Sequence, residues 1–199
     1  LLKTKKFWNE IRGENILMQC IDNMSTSSSF LAQIEAIEDD SYLDEKEKIA
    51  FLVKSLKSKK SLINKKIFSN KEDKETWETF KLITKTPKEC LGAYIISMTS
   101  SASDILTVMF LQKEAGIKNY LRIVPLFETL EDLNNSKKIM LEIYKVKFYL
   151  SYFNHNQEIM IGYSDSSKDA GKLASSWAQY CAQENLQKLS NKFKVKLTL

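Results

Sequence analysis

The sequence predicts an α/β fold, a partial β/α barrel of the TIM type preceded by a mainly helical segment. Three observations point to it. Short unbroken runs of Ile, Val, Leu and Tyr recur in the second half of the chain, as in strands buried on both faces. Longer stretches of helical periodicity alternate with them, giving β-α-β-α-β-α-β. The five glycines, Gly13, Gly92, Gly116, Gly162 and Gly171, supply no GxGxxG after a strand, which a doubly wound dinucleotide-binding sheet would need.

Residues 1–86 form the first expected unit. Acidic and basic residues follow helical spacing there, and helices are expected over 29–38, 44–57 and 72–85. Asp39-Asp40-Ser41 and Ser69-Asn70-Lys71 separate them, and Pro87 closes the last, because the residue before a proline avoids the helical region. Residues 87–199 form the second unit, with strands expected at 93–98, 121–127, 159–163 and 195–199 and helices at 102–115, 129–145 and 167–192. Each of those helices opens on a hydroxyl followed three residues later by a carboxylate: Ser101 and Asp104, Thr129 and Asp132, Ser166 and Asp169. That spacing satisfies free amides at a helix start and faces the positive end of the dipole. The run Ile105, Leu106, Val108, Met109, Phe110, Leu111 is apolar nearly all round, so the helix should be largely buried. Gly116 suits the left-handed position after its end.

The 199 residues are 43% hydrophobic and 28% charged, enough to bury a core. No apolar run reaches the roughly 18 residues of a membrane span, and the chain reads as soluble. Cys20, Cys90 and Cys181 are odd in number and widely separated, which suggests neither a disulfide framework nor a zinc site and fits a reducing, cytoplasmic setting. The net charge is +5, yet only Arg12 and Arg122 are arginines. Proteins that read nucleic acid rely on the bidentate guanidinium, so neither nucleic acid nor a membrane is an expected partner. The basic stretch 54–66 interleaves lysines with Leu52, Val53, Leu56, Leu62 and Ile63 and reads as a solvated helix face. The chain begins without Met and stops within Val195-Lys196-Leu197-Thr198-Leu199, so it reads as cut at both ends.

Ligands of βα arrays bind at the carboxyl ends of the strands. Glu128 follows one strand and Asp165 another, so both should project from one rim. Two such carboxylates can hold a hard divalent cation, Mg²⁺ or Mn²⁺, through oxygen. Lys168 falls three residues after Asp165, in the expected first turn of a helix, where the dipole disfavours a cation unless an anion lies near. Spacing alone fits a metal and anion site and ordinary surface charges equally well. His155, the single histidine, lies in a polar loop without a companion nucleophile, and Cys181 shares a helical register with Trp177 and Tyr180 that suggests packing.

The run Ile159-Met160-Ile161-Gly162-Tyr163-Ser164-Asp165-Ser166-Ser167-Lys168-Asp169-Ala170-Gly171 resembles the signature of the phosphoenolpyruvate carboxylase family. Segments at 92–98, 103–106, 111–116 and 124–133 resemble family segments in the family's order, and the likeness covers about residues 40–199. The resemblance implies a β/α barrel surrounded by extra helices. It also implies carboxylation of phosphoenolpyruvate by bicarbonate, giving oxaloacetate and phosphate with a divalent metal, in a protein that is typically a homotetramer. Carried over residue by residue, Glu128 and Asp165 would be metal ligands and Lys168 an active-site residue.

The same resemblance places a histidine motif, Thr-Ala-His-Pro-Thr, far upstream and a Phe-His-Gly-Arg-Gly-Gly loop just after Leu199, so the isolated segment is expected to be inactive. An arginine of an Asp-Ile-Arg-Gln motif should fall near residues 18–26, where the chain reads Cys20-Ile21-Asp22-Asn23-Met24-Ser25. The alternative from another class is a non-catalytic α/β scaffold descended from such an enzyme.

Overall fold

A computed structural model describes residues 18–23, 44–59, 61–62 and 71–199. In chain order these are β1 (Met18–Asn23), α1 (Glu45–Lys57), α2 (Lys71–Lys85), a short 3₁₀ turn (Lys88–Cys90), β2 (Leu91–Ser97), α3 (Ala102–Glu114) and β3 (Arg122–Phe127). They continue as α4 (Leu130–Lys145), α5 (Lys147–Tyr152), β4 (Asn156–Glu158), β5 (Met160–Ile161), α6 (Ser164–Ala170), α7 (Lys172–Phe193) and β6 (Lys196–Thr198). The expected helix over 29–38 lies outside the described residues. Among the described residues no helix is long and apolar enough to cross a membrane.

Four strands form one sheet in the order β1-β2-β3-β5, every pairing parallel. A second, two-stranded parallel sheet joins β4 to β6. The α/β class is therefore present, in open parallel sheets; no closed barrel is formed by the described residues. Adjacent parallel strands need a crossover long enough for a helix, and α3 fills that role between β2 and β3.

Three sequence expectations need correction. Residues 18–23 were expected within a helical unit but form a strand on the edge of the main sheet, with Asp22 opposite Ile96. The terminal run pairs with β4 rather than joining the main sheet directly. Its link to β3 passes through 156–161, where β4 contacts β6, β5 contacts β3, and Ile159 is buried between them. The helix expected over 167–192 is two helices, because Gly171 adopts φ +78° and breaks the chain between α6 and α7.

The core centres on α3. Its residues from Ala102 to Gln112 are all buried, so its polar ends must be satisfied inside the protein. At the start, the Ser101 and Asp104 side chains form the reciprocal capping box that the spacing predicts. Glu45 from the first turn of α1 adds bonds from the Ser103 amide and hydroxyl, both at 2.8 Å. At the end, Gly116 takes φ +82°, and the amides of Gly116 and Ile117 close on Lys113 and Gln112 carbonyls, the paired bonds of a Schellman ending. Thr129 and Asp132 cap α4 in the same reciprocal way. On the helix side of the sheet, Tyr94, Ile96, Ile123 and Phe127 join this core; Ala93, Ile95, Val124 and Leu126 form a smaller cluster of their own.

Buried polar groups bind the layers at defined points. Gln112 is fully buried; its Oε1 accepts from the Leu121 amide at 2.6 Å and its Nε2 donates to the Leu121 carbonyl at 3.3 Å. This fixes the start of β3 against the end of α3. Tyr149 donates to Gln157 Oε1 at 2.9 Å while Gln157 Nε2 donates to the Ile123 carbonyl at 3.0 Å. Burial pushes the Tyr149 phenol well above its ordinary range and that of Tyr144 up to about 12.

Replacing Gln112 by Leu keeps the volume but strands the Leu121 amide without a partner. The expected loss is about 1–3 kcal/mol, read from urea unfolding; an unchanged midpoint would show that another group takes over the amide. Asp104 offers a pH test. Burial raises its carboxyl above the ordinary range, against the lowering effect of bonds from Ser100 and Ser101. The folded protein then holds that proton more tightly than the unfolded chain, so this group's contribution to stability falls as pH rises from the ordinary carboxylate range through the raised value. Asp104→Asn should remove that part of the slope in unfolding free energy against pH, and an identical slope in both proteins would contradict the assignment.

Candidate metal-binding rim

β3 and β5 run side by side in parallel, with Leu126 opposite Met160 and Phe127 opposite Ile161. The next residues, Glu128 and Gly162, therefore leave the same edge at the same level. Contact there is close: the Gly162 amide donates to the Phe127 carbonyl at 2.7 Å. A Cβ on Gly162 would stand 2.8 Å from Glu128 Cα and 3.1 Å from the Phe127 carbonyl oxygen, which no ordinary side chain tolerates. Only glycine lets the two segments approach this far.

Glu128 is half-buried, and its Oε2 accepts from the Met98 amide at 3.1 Å. Met98 ends the chain's exit from β2 and sits at φ +51°, a left-handed conformation that costs a non-glycine residue about 1–2 kcal/mol. Its side chain is exposed, so the backbone turn rather than packing places it. The sequence held no sign of this contact, because it is made by a main-chain amide 30 positions away. A carboxylate offers about four lone-pair sites, and one amide bond leaves capacity for a cation.

Asp165 lies in the first turn of α6, the seven-residue helix that starts two residues after Gly162. Glu128 thus follows β3, and Asp165 lies in the helix that follows the neighbouring strand β5. Lys168 is exposed and belongs to the last turn of α6, not to the first turn of a longer helix. The expected dipole penalty is therefore absent, since a cation is favoured near a helix C-terminus. Ser166 is likewise no N-cap; it is buried inside α6 and turns its hydroxyl back toward the Gly162 and Tyr163 carbonyls.

Glu128 and Asp165 are of the residue type that would suit a hard cation, since carboxylate oxygen is the donor such an ion takes. Among the described residues no group of three or more His, Cys, Asp or Glu that could hold a metal ion gathers around a common point. His155 is exposed, at φ +56°, in the turn before β4. Trp177 and Tyr180 do not pack into the core as their register suggested. They stack on one another at 5.6 Å on the exposed face of α7, beside a half-buried Cys181. Of the basic stretch 54–66, Lys54 and Lys57 are exposed while Leu52 and Leu56 are buried.

The described residues define a parallel α/β protein, with Glu128 just after β3 and Asp165 in the helix that follows the neighbouring strand β5. Residues 24–199 match the family model of phosphoenolpyruvate carboxylase. The phosphoenolpyruvate carboxylase of Shewanella loihica is 46% identical over 169 residues, 85% of this chain and 19% of that protein. That of Histophilus somni is 48% identical over 155 residues, 78% of this chain and 18% of that protein; that of Marinomonas sp. is 43% identical over 171 residues, covering 86% and 20%. The chain belongs to the phosphoenolpyruvate carboxylase family, a family of carboxy-lyases. It spans about one fifth of the length of the curated relatives it matches.

The contact at Gly162 is directly testable. Gly162→Ala should cost about 1–3 kcal/mol through overpacking, measured by chemical unfolding, because the added methyl meets the Glu128 Cα and the Phe127 carbonyl, backbone that cannot swing aside as the Glu128 side chain can. A change below about 0.5 kcal/mol, ordinary for surface positions, would mean that the two strand ends part without cost.

Proposed function

We propose that this chain supplies the metal-holding rim of a phosphoenolpyruvate carboxylase, within a longer polypeptide that carboxylates phosphoenolpyruvate with bicarbonate to give oxaloacetate and inorganic phosphate. The observation that carries the reading is the β3 and β5 register, which sets Glu128 and α6 at one edge, inside the stretch that matches the family. Glu128 and Asp165 would hold Mg²⁺ or Mn²⁺. Such an ion would stabilise the negative charge that develops on the enolate oxygen and the phosphate.

Each residue of the chain has a role under this reading. Glu128 offers one carboxylate face to the cation while the Met98 amide keeps its other oxygen from turning away. Asp165 completes the pair from α6. Lys168, exposed on the same short helix, would attract the anionic substrates, bicarbonate and phosphoenolpyruvate, and offset their charge as they approach. The missing histidine and glycine-rich arginine motifs would come from the rest of the polypeptide, so residues 1–199 alone are proposed to be inactive. The helical segment 1–86 would pack outside the barrel formed with strands from elsewhere in the chain, and the whole protein would be a cytoplasmic homotetramer.

The test begins with the reading frame on each side. A Phe-His-Gly-Arg-Gly-Gly sequence directly after Leu199 and an upstream His-Pro-Thr motif are expected; a stop codon there would favour the non-catalytic scaffold. In the full-length protein, Glu128→Gln, Asp165→Asn and Lys168→Ala should each lower bicarbonate-dependent oxaloacetate formation by about 100-fold or more. Removing divalent metal with a chelator should abolish it reversibly. Wild-type rates in the carboxylate variants would sink the assignment.

A further inference from the structure

The signature run does more than present Asp165 and Lys168. Ser166 and Ser175 are both fully buried, their hydroxyl oxygens 2.7 Å apart, and they join the third residue of α6 to the first turn of α7. Gln179, one turn further along α7, donates from Nε2 to Ser175 at 3.0 Å and to Ser166 at 3.2 Å. Ser166 in turn reaches the carbonyls of Gly162 and Tyr163, each at 3.2 Å. A serine hydroxyl has one proton to give. If Ser166 spends it on those carbonyls, Ser175 must donate to Ser166, and Gln179 feeds both. The hydrogen bonds then run in one direction, from α7 through α6 to the end of β5. Ser167 adds a bond at the start of α6, donating to the Tyr163 carbonyl at 2.9 Å, and its oxygen lies 3.3 Å from that of Ser175.

Such a network is needed because α6 is too short to hold itself. Seven residues form barely two turns, well below the length at which a helix is stable alone. Tyr163 at its start offers no side-chain cap, and Gly171 separates it from α7. We propose that Ser166, Ser175 and Gln179 are positioning residues that clamp α6 onto α7 and thereby set Asp165 and Lys168 relative to Glu128. The chain of contact is continuous: Gln179 and Ser175 hold Ser166, Ser166 holds the Gly162 carbonyl, and the Gly162 amide is bonded to Phe127 beside Glu128. This rests on the reading of the rim as a metal site, but the clamp itself is a statement about geometry.

The experiment uses the full-length protein with Ser175→Ala, which removes the central donor, and Gln179→Ala, which cuts the network from its half-buried end without opening a core cavity. Two readouts are taken: amide hydrogen exchange over 162–170, and Mn²⁺ binding followed by electron paramagnetic resonance. Exchange in that stretch should rise about tenfold or more in either variant, Mn²⁺ affinity should fall about tenfold or more, and the thermal midpoint should move little. Restoring a hydroxyl with Ser175→Thr should recover both. Unchanged exchange over 162–170 would overturn the clamp. So would a fall in Mn²⁺ affinity that only tracks loss of global stability, or unchanged Mn²⁺ affinity once α6 is loosened. If the wild type itself binds no Mn²⁺, the metal-site reading fails and with it the proposed role toward Asp165, whatever the exchange data say of the clamp.

Discussion

Burying a helix on every side imposes a debt that shapes much of this molecule. α3 has almost no face left to solvent, so each unpaired amide and carbonyl at its ends must find a partner inside the protein. Ser101, Asp104 and Glu45 satisfy its start and the turn through Gly116 its end, while its own last side chains satisfy groups on neighbouring segments. Glu45 reaches in from α1, and Lys113 donates to the Ser55 carbonyl at 2.7 Å. Glu114, its side chain almost wholly buried, accepts from the Ser61 hydroxyl and the Leu62 amide. Gln112 ties down the approach to β3. α1 and the start of β3 are thus both tied to this one helix.

The rim depends on a second constraint, close backbone approach. β3 and β5 share only two paired positions, too few to fix an edge by themselves, and the Gly162 contact with Phe127 and Glu128 completes the junction. Glu128 is further held from the opposite side by Met98, beyond β2. Three strand ends therefore meet around one carboxylate, and α6 follows immediately. The strand ends are joined there by close backbone contact, and side-chain bonds hold Glu128 and α6 in place beside them.

Much of this was legible in the sequence. Unbroken apolar runs located β2 and β3 to within a residue or two, and the Ser101 and Thr129 boxes marked two helix starts because capping is a local interaction of four consecutive residues. The same spacing at Ser166 and Asp169 misled, since a hydroxyl inside a helix can equally bond back to carbonyls three and four residues earlier. β1 was missed because Met18–Asn23 mixes polar and apolar residues; its strand state comes from pairing with β2, which no local pattern records. The candidate site divides similarly. Glu128, Asp165 and Lys168 are candidates from their places after strands and from the family likeness. The Met98 amide and the network of the Ser175 hydroxyl and the Gln179 side-chain amide are not legible there, being contacts between segments that periodicity leaves unconnected.

The broken strand at 156–161 makes the two ends of the sheet unequal. Toward the rim, β5 is laddered directly to β3; at the other end β4 turns to β6, and the Gln157 side-chain amide spans the gap to the Ile123 carbonyl. A cavity lined by Arg122, Glu158 and Lys196 opens there, its charges neutralised in part by the Arg122 and Glu158 pair at 3.2 Å. The sheet is thus built like a fan, pinned at one edge and spread at the other by a side chain used as a strut. The start of β3 therefore meets β4 through a single side chain, whereas its end meets β5 through main-chain pairing.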